Sequence, residues 1–79
     1  MKSLNEILKM KDPNYYLYNY AWNNGRLKPK WERLFLLLGN PEWAYYYAVE
    51  IIEGRWLEAE EYIKENKSCW DKYTWALLE

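Results

Sequence analysis

The stretch NPEWAYYYAVEIIEGRWLEAEEYI, residues 40–63, reads as two helices around one glycine. Asn40 is a good helix N-cap, and Pro41 takes the first helical position, where a missing N–H costs nothing. Ala44, Tyr47, Ala48, Ile51 and Ile52 then recur at helical spacing and mark one apolar face. Gly54 stands where such a helix stops in a left-handed conformation. Beyond it Trp56, Ala59, Glu60 and Ile63 keep the period only in part.

The same grammar appears elsewhere in the chain. Asp12-Pro13-Asn14-Tyr15 matches Asn40-Pro41-Glu42-Trp43, and Tyr18 falls on Tyr46. Asn24-Gly25-Arg26-Leu27 falls on Glu53-Gly54-Arg55-Trp56 with a one-residue slip. A third start reads at Ser68-Cys69-Trp70, with Ser68 as the cap and Tyr73 where Tyr46 stands. Gly39 closes a helix opened by Lys28-Pro29, whose apolar face is Trp31, Leu34, Phe35 and Leu38. Trp70, Tyr73, Thr74 and Leu77 form the last stripe, and Ser3 with Glu6 makes a capping-box pattern ahead of Leu4, Ile7 and Leu8.

These signals predict an all-α fold of six short helices, near 3–11, 13–24, 29–38, 41–53, 56–66 and 68–78. They are expected to stack as about two and a half αα-hairpin repeats, a small solenoid-like bundle forming one domain over residues 1–79. The units run about 12–39, 40–66 and 67–79, after the short N-terminal helix. Helices this short are not stable alone in water and exist by packing on one another.

Composition limits the rest. With 79 residues, six Trp and nine Tyr, the chain has a small core whose main filling is aromatic. A single cysteine, Cys69, forms no internal disulfide, and with no histidine present no metal or other cofactor is expected. The run Leu34–Leu38 is far short of a membrane span, and the opening MKSLNEILKMKD lacks the apolar stretch of a signal peptide. A soluble, cytoplasmic protein without membrane partners is expected. Charge is uneven: residues 1–39 hold seven basic and three acidic residues, while residues 40–79 hold four and nine, so the net −1 divides into +4 and −5. That gradient and an apolar terminal repeat would suit a head-to-tail homodimer.

Over residues 40–63 the chain resembles a short tandem repeat of bacteriophage and large-virus proteins. Asn40-Pro41-Glu42-Trp43-Ala44-Tyr45, Gly54-Arg55-Trp56 and Glu58-Ala59-Glu60 carry the likeness. It is weaker over 12–39, where Tyr15 replaces Trp43 and Leu27 replaces Trp56, and it is truncated over 66–79. The resemblance implies helical packing units and a viral setting, and it implies no active site.

Catalysis is not expected. No histidine is present to act as a base, no glycine-rich phosphate loop occurs, and no Ser or Cys has an evident activator. Cys69 could gain thiolate character in the first turn of the last helix, but a small filler residue is the simpler account. Glu58, Glu60 and Glu61 read more simply as a solvated helix face than as paired carboxylates. Arg26, Lys28, Lys30 and Arg33 surround Trp31 and offer a nucleic-acid alternative, although so few charges support only weak binding at physiological salt.

The favoured class is protein recognition. Tyr15, Tyr16, Tyr18 and Tyr20 cannot all face inward from one helix, and neither can Tyr45, Tyr46 and Tyr47. Tyr15, Tyr45, Tyr46 and Arg55 are therefore the candidate contact residues, of the types that dominate interface energetics. The expected function is a non-catalytic, phage-encoded module that binds and modulates or inhibits a host protein complex, such as a defence system. The alternatives are a nucleic-acid-associated factor using residues 26–33 and a fragment of a longer structural repeat protein.

Overall fold

The computed structural model describes residues 2–77. They form six α-helices, with no strand among the described residues: α1 (Leu4–Leu8), α2 (Pro13–Asn24), α3 (Pro29–Leu37), α4 (Pro41–Tyr46), α5 (Glu60–Lys64) and α6 (Lys67–Leu77). A π-helical segment, Tyr47–Ile52, continues α4, and a 3₁₀ turn, Leu57–Ala59, leads into α5. Among the described residues no helix is long and apolar enough to cross a membrane.

The predicted caps operate at the first two sites. Asp12 Oδ1 accepts from the Tyr15 amide at 3.2 Å, and Asn40 Oδ1 accepts from the amides of Glu42 and Trp43 at 3.0 and 3.2 Å. Lys28 provides no side-chain cap, so Pro29 alone pre-sets α3. At the third site the cap is Asn66, not Ser68. Its Oδ1 accepts from the Cys69 amide at 3.1 Å, because α6 starts one residue earlier, at Lys67. Tyr73 therefore stands seven residues after its cap, as Tyr47 does after Asn40, and its counterpart is Tyr47 and not Tyr46. The Ser3–Glu6 capping box is present, but α1 is only five residues long and buries Ile7 alone; Leu4 and Leu8 face outward.

The core joins all six helices. Ile7, Leu17, Ala21, Leu34, Phe35, Ala44, Tyr47, Ala48, Trp56, Ala59, Ile63 and Tyr73 are buried. α2 packs on α1, α3 and α4, while α4 also packs on α5 and α6, so the α2–α4 contact joins the two ends of the chain. Ala44 of α4 and Ala48 of the π-helical segment are small, buried residues four apart on one packed face.

The one-residue slip between the two halves has a physical form. Gly25 follows Asp12 by 13 residues, and Gly54 follows Asn40 by 14. The extra residue is taken up by the wide π turn, in which the Glu53 amide donates to the Ala48 carbonyl five residues back, at 2.9 Å. The helix then ends one residue early: Glu53 adopts the left-handed conformation, φ 58° and ψ 38°, and Gly54 does not. The prediction for Gly54 is thereby corrected. Gly25, in contrast, sits at φ 91° and ψ −175°, a conformation essentially reserved for glycine.

Gly25→Ala should consequently destabilise the protein by about 1–3 kcal/mol. Gly54→Ala, with nothing within 4 Å of the added Cβ, should change stability by no more than about 0.5 kcal/mol. Urea unfolding followed by far-ultraviolet circular dichroism distinguishes the two.

Candidate functional site

Two polar networks, each with a buried carboxylate and tyrosine and a half-exposed arginine, organise the aromatics. In the first, Arg26 Nε donates to Glu32 Oε2 at 2.6 Å and its terminal nitrogen to Oε1 at 3.2 Å. The Tyr47 hydroxyl donates to the same Oε2 at 2.6 Å and accepts from the Leu27 amide at 2.9 Å. In the second, Arg55 grips Glu60 through two bonds of 2.9 and 3.0 Å. The Tyr73 hydroxyl donates to Glu60 Oε2 at 2.8 Å and accepts from the Trp56 amide at 2.9 Å. The same four groups thus meet twice: an arginine, the amide of the residue after it, a carboxylate and a tyrosine from a later helix.

Both carboxylates are buried, and such groups persist only when fully hydrogen-bonded. Glu60 is not part of a solvated face, as the Glu58-Glu60-Glu61 pattern suggested; Glu58 and Glu61 are exposed while Glu60 turns inward to meet its partners. Hydrogen bonding from Arg55 holds its carboxyl below the ordinary glutamate value of 4.5, against the effect of burial. Burial and the bond to Glu32 push the Tyr47 hydroxyl well above its ordinary range, and burial also raises the Tyr73 hydroxyl. Cys69 is also buried, and its thiol is raised chiefly by burial and then by the charge of Glu42.

Outside these networks lies a continuous face of rings from α2 and α4. Trp43 is its hub, with ring centroids 5.9 Å from Tyr15, 5.3 Å from Tyr18 and 5.8 Å from Tyr46. Tyr18 also stacks on Trp22 at 6.1 Å and meets Tyr46 at 6.4 Å, and Tyr45 lies 5.2 Å from Tyr46. Tyr15 is 55% exposed, Trp22 59% and Tyr46 42%, whereas Trp43 and Tyr45 are half-buried. Of the four residues singled out in the sequence, Tyr15 and Tyr46 belong to this face and are exposed. Tyr45 joins them only as a half-buried support, and Arg55 is held in the second polar network. Trp22 escaped notice, although its place four residues after Tyr18 puts both on one helical face.

The face ends in a cleft of about 280 Å³ lined by Ala21, Trp22, Gly25, Glu50, Ile51 and Glu53. A second cleft of about 280 Å³ lies beside Tyr20, Arg26, Lys28 and Trp31. There the basic segment is partly committed: Arg26 is bound to Glu32, and the Lys30 ammonium lies 4.9 Å above the Trp31 ring. Lys28 and Arg33 remain exposed.

Tyr47→Phe should cost about 1–3 kcal/mol, since it strips a partner from both the Leu27 amide and the Glu32 carboxylate, and Tyr73→Phe should behave alike. The lowered Glu60 value adds a pH dependence. Its stabilising share is complete above the unfolded value near 4.5 and is lost as pH falls through the lower folded value. Denaturant midpoints measured from pH 7 downward should fall in that acidic window, and less steeply in Glu60→Gln, whose starting stability is lower.

Comparison of the chain with protein-family models, with curated proteins and with solved structures gives no match.

Proposed function

We propose that this protein is a non-catalytic recognition module that binds another protein through the aromatic face of α2 and α4. The observation that carries this reading is the continuity of the rings, with Tyr15, Trp22 and Tyr46 exposed together around the Trp43 hub. Isolated exposed apolar residues are ordinary, but a contiguous patch marks an interaction surface. Trp and Tyr at the centre of such a patch are the residue types on which binding energy concentrates. The core holds its own aromatic complement in Phe35, Tyr47, Trp56 and Tyr73, backed by Tyr18, Trp43 and Tyr45, which leaves Tyr15, Trp22 and Tyr46 on the outside.

The likeness of residues 40–63 to a viral repeat supports a more specific version. It makes the chain a phage-encoded assembly of αα units whose target is a host protein complex, held in an inhibited or altered state. The paired networks at Glu32 and Glu60 are what such a repeat would use as its joint. The basic segment supports the nucleic-acid reading less, because Arg26 already has a buried carboxylate as partner.

Capture of a target from bacterial lysate tests the proposal. Tyr15→Ala with Tyr46→Ala should weaken capture at least about tenfold, the loss of roughly 1.4 kcal/mol or more. Trp75→Ala, which removes a still more exposed ring from α6, should leave capture unchanged. Equal loss from both variants, or from neither, is the result that defeats the reading.

A further inference from the structure

We infer that the cleft at the end of the aromatic face receives an arginine side chain of the partner protein, stacked on Trp22 and paired with Glu50 and Glu53. This rests on the aromatic face being the binding surface and adds the chemistry of its occupant.

The charge of the cleft selects the ligand class. Its lining includes two carboxylates, a large exposed indole and, among the described residues, no lysine or arginine. Glu50 lies near enough to Tyr18 for its charge to raise that hydroxyl further, after burial, which links the acidic wall to the stacked Tyr18–Trp22 pair. A guanidinium fits this combination better than an ammonium. Its plane stacks on an indole while its fork pairs with carboxylate oxygens.

The backbone points to the same place. Glu50 lies within the π-helical segment and Glu53 caps it in the left-handed conformation, although Gly54 is the next residue and would take that conformation without cost. A non-glycine residue in this region costs about 1–2 kcal/mol. Gly25, the positive-φ stop of α2, also lines the cleft. Wide turns inside helices and strained non-glycine residues both gather at binding sites, and here the two adjoin one cleft.

The test titrates the ¹⁵N-labelled full chain with N-acetyl-arginine amide and, separately, with N-acetyl-citrulline amide, which has the same shape without the charge. Arginine should produce saturable shifts of the Trp22 indole N–H and the Glu50 and Glu53 amides. The apparent affinity should fall at least about threefold between low salt and several tenths molar salt. In Glu50→Gln with Glu53→Gln, both exposed and isosteric changes, the shifts should be lost while circular dichroism stays unchanged. Equal shifts with citrulline, shifts that persist in the double variant, or no saturable shift with arginine would each overturn the inference.

Lysate capture separates its failure from that of the underlying reading. A target lost with the Tyr15/Tyr46 variant but fully retained by Glu50→Gln with Glu53→Gln leaves the aromatic face standing and removes the arginine. Loss in both supports the arginine. Sedimentation of the protein alone covers the remaining occupant: self-association abolished by the Glu50/Glu53 variant would assign the cleft to a second copy and overturn the proposal.

Discussion

The tyrosine hydroxyl shared between a buried carboxylate and a backbone amide is the constraint on which this structure depends. Tyr47 and Tyr73 each approach the start of a helix from a later one, and each satisfies an amide that lies ahead of that helix's first turn. Leu27 and Trp56, the owners of those amides, are buried, so without the hydroxyl the amides would be desolvated and unpaired. The glutamate is tolerated in the interior because arginine and tyrosine together occupy its oxygens. Such an assembly specifies more than it stabilises. Replacing it with apolar residues of equal volume could match its energy, but would not fix the residue after each arginine against one defined ring.

This constraint also divides the aromatic residues into two populations. Tyr47, Tyr73, Phe35 and Trp56 are committed to the interior, with Tyr47 only 4.8 Å from Trp56 and 5.1 Å from Phe35. The remaining rings of α4 are pushed to other faces by helical geometry alone, since three successive tyrosines cannot share one direction. Tyr46 emerges next to Tyr18 and Trp43, while Tyr45 is caught at the rim of the core. The outer face is thus a consequence of how tightly the inner position is specified.

Much of the fold was legible in the residues. Asp12-Pro13 and Asn40-Pro41 declare their helices through capping chemistry that acts locally and needs no tertiary context. The errors have one common origin, a register carried by tertiary contacts. Ser68 is as good a cap as Asn66 by type, and only the start of α6 at Lys67 decides between them. Gly54 looked like the left-handed stop because nothing local announces a π turn, which arises where the neighbouring packing holds one more residue than an α-helix would place. Glu60 looked like surface because a carboxylate is recognisable as buried only once Arg55 and Tyr73 are known to meet it. The candidate face was half legible: excess tyrosine demanded an exposed set, and Tyr15 and Tyr46 belong to it. Trp22 was missed because its exposure, unlike the tyrosine excess, has no local signal beyond its spacing from Tyr18.

The geometry of the outer rings bears on what the face is suited for. A binding surface made of free side chains must order them on association, at a cost of about 0.5–1.5 kcal/mol for each rotamer-rich group. Here Trp43 contacts Tyr15, Tyr18 and Tyr46 at edge-to-face or tilted angles of 51° to 83°, and Tyr18 in turn backs Trp22. The rings therefore hold one another in place. They stand on α2, anchored through the buried Leu17 and Ala21, and on α4, which packs on α2, α5 and α6. A rigid aromatic surface on a packed support loses little entropy when covered, so even a modest buried area can yield useful affinity. The short core and the crowded aromatic surface are two results of one economy: in so small a chain, the helices that make the core must also present the face.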